Sequence, residues 1–158
     1  MIKKIGEVNL ITIKEEIKIL PNYYKDQIMI QTVKGNSDPN YGTGKSTDLR
    51  HKEREFVEPM YDMPYLNSLL KDLNWARSRV MRVRAKSNYT WHYDGTCRSH
   101  IPLITNDNNF FIIEDKIYRM PADGGIYIAD TTKYHTFVNA SREDRVHIVG
   151  ASPETKIT

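Results

Sequence analysis

Between residues 79 and 150 the chain is cut into about eight short runs of strand-forming residues, and this segmentation narrows the possible folds more than any other feature. The runs cover residues 79–85, 89–92, 98–105, 110–114, 116–120, 125–129, 134–138 and 145–150. Each is too short for a stable helix and shows little helical periodicity. Polar turn clusters at 106–109, 122–125 and 139–144 separate them. Close, even spacing of this kind predicts a mainly β chain folded as an antiparallel sandwich or barrel of the jelly-roll or cupin kind.

The first 75 residues read differently. Strand-like stretches at 8–13 and 27–33 precede a polar loop at 34–47 that is rich in Gly, Asn, Pro and Ser. Leu66, Leu69, Leu70 and Leu73 then fall at helical spacing, and Pro64 suits a first turn, so 65–73 predicts a helix. No composition break marks a linker. Residues 1–158 are therefore expected to form one domain, with 1–75 flanking a β core at 79–151 and helping to shape a substrate mouth.

Composition excludes several classes. Apolar residues make up 39% of the 158, enough to bury a core without staples, and no apolar run approaches the roughly 18–20 residues a bilayer span needs. Glu7 stands where a signal peptide would need its apolar stretch, so a cytoplasmic chain is expected. The single cysteine, Cys97, rules out a cysteine-rich zinc module and is read as a packing residue. The net charge of +3 comes from interspersed acids and bases. The densest basic run, 77–84, alternates with apolar residues and reads as a solvated or site-lining strand face, not as a nucleic-acid stripe.

The chemistry concentrates at Trp91-His92-Tyr93-Asp94-Gly95. In an extended chain His92 and Asp94 point to one side, and His135 follows on a separate expected strand. Two imidazoles and one carboxylate can occupy one face of an octahedral metal and leave positions open, which is the arrangement of non-haem iron(II) oxygenases. Arg145 lies ten positions after His135 across a polar turn. If the two flanking runs pair as a hairpin, its guanidinium can take a carboxylate bidentately beside the metal.

Taken together, His92-x-Asp94, Arg98-Ser99-His100-Ile101-Pro102-Leu103, Gly125-Ile126-Tyr127-Ile128, His135 with Asn139, and Arg145-Val146-His147-Ile148-Val149 resemble the aspartyl/asparaginyl β-hydroxylase family. The likeness covers roughly residues 79–151 in order and approximate spacing. It implies a double-stranded β-helix whose core is catalytic. It also implies iron(II) held by His92, Asp94 and His135, and 2-oxoglutarate held by Arg145 with Arg98 and His100 in contact. The activity implied is a dioxygenase that uses dioxygen to hydroxylate an amino acid, free or as a residue in a peptide or protein. His147 is read as structural.

Two other classes remain open on the residues themselves. A cupin-like metal enzyme that does not use 2-oxoglutarate would keep the histidines without needing Arg145 at the metal. A catalytically silent β-sandwich would show no special relation among His92, Asp94 and His135. The stretch Gly42-Thr43-Gly44-Lys45-Ser46-Thr47 resembles a phosphate-binding loop, but Pro39 stands where the first glycine belongs and no apolar helix follows. It reads as a polar loop that could cover a substrate.

Overall fold

The computed structural model describes residues 1–22, 26–45 and 49–152. Its strands are β1 (Ile2–Glu7), β2 (Gln27–Met29), β3 (Gln31–Thr32), β4 (Glu58–Pro59), β5 (Ala76–Val83), β6 (Ser87–Asn88), β7 (Arg98–Ile104), β8 (Asn109–Ile113), β9 (Lys116–Tyr118), β10 (Gly125–Ala129), β11 (His135–Asn139) and β12 (Arg145–Ala151). The larger sheet runs β1-β10-β7-β12-β5-β2, the smaller runs β6-β11-β8-β9, and β3 and β4 form a separate ribbon. Adjacent strands pair antiparallel throughout. The mainly β, jelly-roll expectation is met.

Alternation along the strands sorts side chains to the two faces of the larger sheet. Val80 of β5, Ile101 and Leu103 of β7, Ile126 of β10, and Val146 and Ile148 of β12 share one buried cluster with Ile13, Met63, Leu66, Leu70 and Trp75. That cluster seats helices α1 (Leu10–Glu16) and α2 (Pro64–Asp72) on the outer face. The opposite face meets the smaller sheet through Met81, Val83, Tyr127, Ala129 and Val149 against Phe111, Ile113 and Phe137. On this inner face Arg79, Arg98, His100, Arg145 and His147 are buried where packing alone would favour apolar residues.

Helix α2 forms where its leucine spacing predicts. Leu66 and Leu70 are its buried pair, and Pro64 opens its first turn. Its first free amides are satisfied from outside, because the Glu16 carboxylate accepts from Tyr65 N at 2.9 Å and Leu66 N at 2.8 Å. Among the described residues no helix is long and apolar enough to cross a membrane.

Four local expectations need correction. Residues 10–13 are helical, not a strand: Asn9 Oδ1 accepts from Thr12 N at 3.1 Å, and Ile13 is buried while Ile11 points to solvent. β1 is an unpredicted edge strand on β10, hidden in the sequence because its charged residues face water. Residues 89–92 do not form a strand beyond a single bridge between His92 and His135. Finally, β11 and β12 do not make a hairpin, since β11 pairs with β8 and β6 and β12 pairs with β5 and β7. The turn between them carries the chain from one sheet to the other. Asn139 holds that corner, donating to Val83 O at 2.9 Å and to Glu143 O at 2.7 Å.

Candidate active site

A cavity of about 370 Å³ opens between the two sheets, within the range of small-molecule sites. His92, Asp94, Arg98, His100, His135 and Arg145 all line it, as do Arg79, Phe111 and Phe137. A silent sandwich required His92 and His135 to be unrelated. Their ring centroids instead lie 4.3 Å apart.

The backbone sets this up. His92 and His135 exchange amide hydrogen bonds of 3.1 and 2.9 Å across the bridge, and Asp94 N donates to Thr131 O at 2.8 Å. Each imidazole then hydrogen-bonds through Nδ1 to a backbone carbonyl: His92 to Thr90 O at 2.8 Å and His135 to Lys133 O at 2.9 Å. A carbonyl only accepts, so both Nδ1 atoms carry a proton, the tautomer that in a neutral ring turns the Nε2 lone pair toward a metal. The two Nε2 atoms lie 3.9 Å (His92) and 3.7 Å (His135) from the Asp94 carboxylate oxygens Oδ1 and Oδ2. The three donor atoms all lie within 4.8 Å of one another. Burial lowers the His135 pKa; His92 works in the same direction and the Lys133 hydrogen bond against it. The donor set, its tautomers and its supporting carbonyls fit an iron(II)-type metal.

Arg145 reaches the cavity from the larger sheet, opposite His135 and not beside it on an adjacent strand. Its guanidinium lies over the Phe137 ring at 4.7 Å and the Phe111 ring at 5.7 Å. Among the described residues, Nε and Nη2 are buried with no hydrogen-bond partner. Burial pushes its pKa down to about 9, so it stays charged at neutral pH. An unpaired buried guanidinium is costly, and a carboxylate in the cavity would relieve it. A dicarboxylate co-substrate such as 2-oxoglutarate would meet that need with one of its two carboxylates.

His100 and His147 sit beside Arg145, Nδ1 to Nδ1 at 3.2 Å, so one donates and the other accepts. Burial, reinforced by Arg145, holds both well below the usual histidine range. His100 Nε2 has no hydrogen-bond partner among the described residues.

Arg98 is more committed than the sequence suggested. Its Nη1 donates to Glu53 Oε1 at 2.8 Å, and its Nε lies 3.5 Å from Asp94 Oδ2. Glu53, on a short 3-10 turn, also accepts from Arg77 Nη1 at 3.0 Å and Thr96 Oγ1 at 2.9 Å. Burial opposes its charge, but Arg98, Arg77 and Thr96 outweigh it and hold the carboxyl down at about 2. The flanking half thus reaches the site through a residue that sequence reasoning missed. Arg54-Glu55 and Lys52 surround Glu53 in sequence, and nothing in that charged stretch distinguishes it.

Arg77 also explains the glycine-rich loop. It donates from Nε to Gly42 O at 2.8 Å and from Nη2 to Gly44 O at 2.7 Å. The loop therefore offers carbonyls to a cation, the reverse of a phosphate cradle, which offers amides. Ser46 and Thr47 of that stretch lie outside the described residues. Of the aromatics near the site, Trp91, Tyr93 and Tyr134 are exposed and not core, with Tyr93 and Tyr134 edge to face at 5.3 Å. Cys97 is buried, as a packing thiol would be.

Comparison with solved structures finds an oxidoreductase of the 2OG-Fe(II) oxygenase family from Burkholderia pseudomallei. It aligns at TM-score 0.58 over 93% of this chain and 82% of that one, with 14% identity, a likeness of fold. AviO1 from Streptomyces viridochromogenes Tue57 aligns over 99% of this chain and 92% of its own at 13% identity, but with a TM-score of only 0.49. No curated protein matches. A sequence model of the aspartyl/asparaginyl beta-hydroxylase family matches residues 7–150, which includes every side chain described above, and the chain belongs to that family.

Proposed function

We propose that this chain is an iron(II)- and 2-oxoglutarate-dependent dioxygenase that hydroxylates an amino acid, free or as a residue in a peptide or protein. The observation that carries this reading is the pairing of a His-Asp-His donor cluster with a buried arginine that has no carboxylate partner among the described residues, in one cavity. A metal enzyme without 2-oxoglutarate has no need of that second feature. Family membership and the fold support the same reading.

In this reading His92 Nε2, His135 Nε2 and Asp94 hold the iron. Bound iron with its co-substrate supplies the oxidation, in which a substrate C–H, dioxygen and 2-oxoglutarate become a C–OH, succinate and carbon dioxide. Arg145 takes the distal carboxylate of 2-oxoglutarate as a charge-assisted pair. His100, neutral and with Nε2 free, can donate or accept one hydrogen bond to the same ligand. Arg98 steadies Asp94 and is a second contact for the co-substrate. Phe111, Phe137 and Tyr89 keep water from that end of the cavity, and Tyr89 stacks on Phe137 at 4.7 Å.

The test is iron-dependent conversion of 2-oxoglutarate to succinate, run beside manganese(II) binding by calorimetry. Wild type is expected to bind one metal and to turn over 2-oxoglutarate slowly without substrate. His135→Ala should weaken metal binding by at least about tenfold. A wild-type chain that binds metal but never 2-oxoglutarate would move the enzyme to the other cupin-like chemistries.

A further inference from the structure

Two buried histidines sit beside Arg145, and the function proposed above uses only one of them. His100 on β7 borders the cavity, whereas His147 on β12 is not among the residues that line it. Their Nδ1 atoms lie 3.2 Å apart. A nitrogen–nitrogen hydrogen bond needs a proton on one atom and a lone pair on the other. Burial, with Arg145 near both rings, disfavours an imidazolium in either place, so each ring carries one proton. The pair then has two arrangements. The ring that donates from Nδ1 has a bare Nε2, and the ring that accepts carries its proton on Nε2.

The surroundings choose between them. Neither Nε2 has a hydrogen-bond partner among the described residues. His147 is 1% exposed, and its neighbours on the adjoining strands are Met81 of β5 and Pro102 of β7. Those two side chains offer an N–H nothing better than a thioether. A proton on His147 Nε2 would be a donor stripped of water and given no acceptor, at the full cost of its lost hydration. A proton on His100 Nε2 belongs to a ring that borders the cavity, where water or a ligand can accept it. The reverse arrangement gains nothing in return. A bare His100 Nε2 would accept from neither Arg145 Nε nor Arg145 Nη2, which have no partner among the described residues.

We propose that His147 is a positioning residue: it donates its Nδ1–H to His100 Nδ1 and so holds the His100 ring in place with its proton on Nε2. His100 then gives a hydrogen bond to the cavity and takes none. With the Arg145 guanidinium beside it, this end of the wall offers donors alone, which suits a ligand oxygen and turns away a ligand N–H. The inference rests on the function proposed above only in naming 2-oxoglutarate as that ligand. The tautomer itself follows from the packing.

The full chain, labelled with ¹⁵N-histidine and loaded with zinc(II) as a diamagnetic stand-in for iron, is read by long-range ¹H–¹⁵N correlation, which tells a protonated ring nitrogen from a bare one. Signals are assigned by their loss in His100→Gln and His147→Leu. Before any ligand is added, His147 should be protonated at Nδ1 and bare at Nε2, and His100 the reverse. The opposite pattern, an even mixture of the two, or a doubly protonated ring overturns the proposal. This wild-type spectrum decides the tautomers even if a variant fails to fold. Calorimetry on the zinc-loaded chain then tests the positioning. His147→Leu frees the His100 ring to turn and should weaken 2-oxoglutarate binding by about tenfold. His147→Asn, whose amide can put a donor near the place of Nδ1, should recover most of that loss, with zinc affinity unchanged in both. If the Leu variant binds as wild type does, or Asn restores nothing, His147 only fills space and the proposal fails. If the tautomers are as assigned but 2-oxoglutarate neither binds to wild type nor shifts His100 Nε2, the tautomer assignment stands and the co-substrate reading falls.

Discussion

Replacing Glu53 with Gln tests how the flanking half is fastened to the β core. The Glu53 carboxylate receives Arg77, Arg98 and Thr96, and the two guanidinium side chains are only 2% and 6% exposed. Its pKa lies at about 2 in the folded chain against an ordinary 4.5. At about 1.4 kcal/mol per pH unit, ionisation favours the fold by about 3 kcal/mol. Because the folded value is depressed, that stability is fully present above pH 4.5 and is lost as pH falls toward 2. Removing one member of a buried pair costs about 3–5 kcal/mol by general experience, which agrees. For a chain of this length the Tm of Glu53→Gln should drop by about 6–20 °C at pH 7. Urea unfolding at pH 7 and at pH 4 measures the loss, and a ¹³C titration of the Glu53 carboxyl reads its pKa directly. A carboxyl that titrates near 4.5, or a variant within about 0.5 kcal/mol of wild type at pH 7, would refute the claim that Glu53 fastens Arg77 and Arg98.

Arg145→Met should separate function from stability. It removes a buried cation with no carboxylate partner, so the metal-free chain should gain about 1 kcal/mol once the lost ring contacts are counted. Binding of 2-oxoglutarate should weaken by about a hundredfold; calorimetry and thermal melts read the two effects, and a lower Tm would count against the orphaned-cation account. Gly150→Ala would set a Cβ 2.5 Å from Trp75 Cε3 and 2.9 Å from Ser78 Oγ. It should destabilise by about 1–3 kcal/mol and alter tryptophan fluorescence, and no change in either would mean Trp75 has room to shift.

Much of the fold was legible because β patterning is local. Seven of the eight expected runs became strands with ends shifted by a few residues, and α2 formed over the leucines that predicted it. The failures were places where local signals compete. The apolar, β-branched Leu10-Ile11-Thr12-Ile13 reads as a strand, yet the Asn9 cap and the burial of Ile13 under α2 make it a helix. β1 was missed because an edge strand facing water carries no apolar alternation.

The sequence by itself determined the residue types of the site and their order: a His-x-Asp pair, a distant histidine, and an arginine ten residues beyond it. Their convergence belongs to the tertiary structure. Arg145 is not brought to the metal cluster by a hairpin but faces it from the other sheet, because the corner at Asn139 sends β12 between β5 and β7. Which charges are free was likewise undecidable from the chain. Arg77, Arg79 and Arg98 look alike in sequence, but Glu53 from the flanking half neutralises two of them and leaves Arg79 without a carboxylate partner among the described residues. The physical reason is one of range. Propensity and alternation act over a few residues, whereas the balance of buried charge depends on which distant carboxylate the fold brings within about 3 Å.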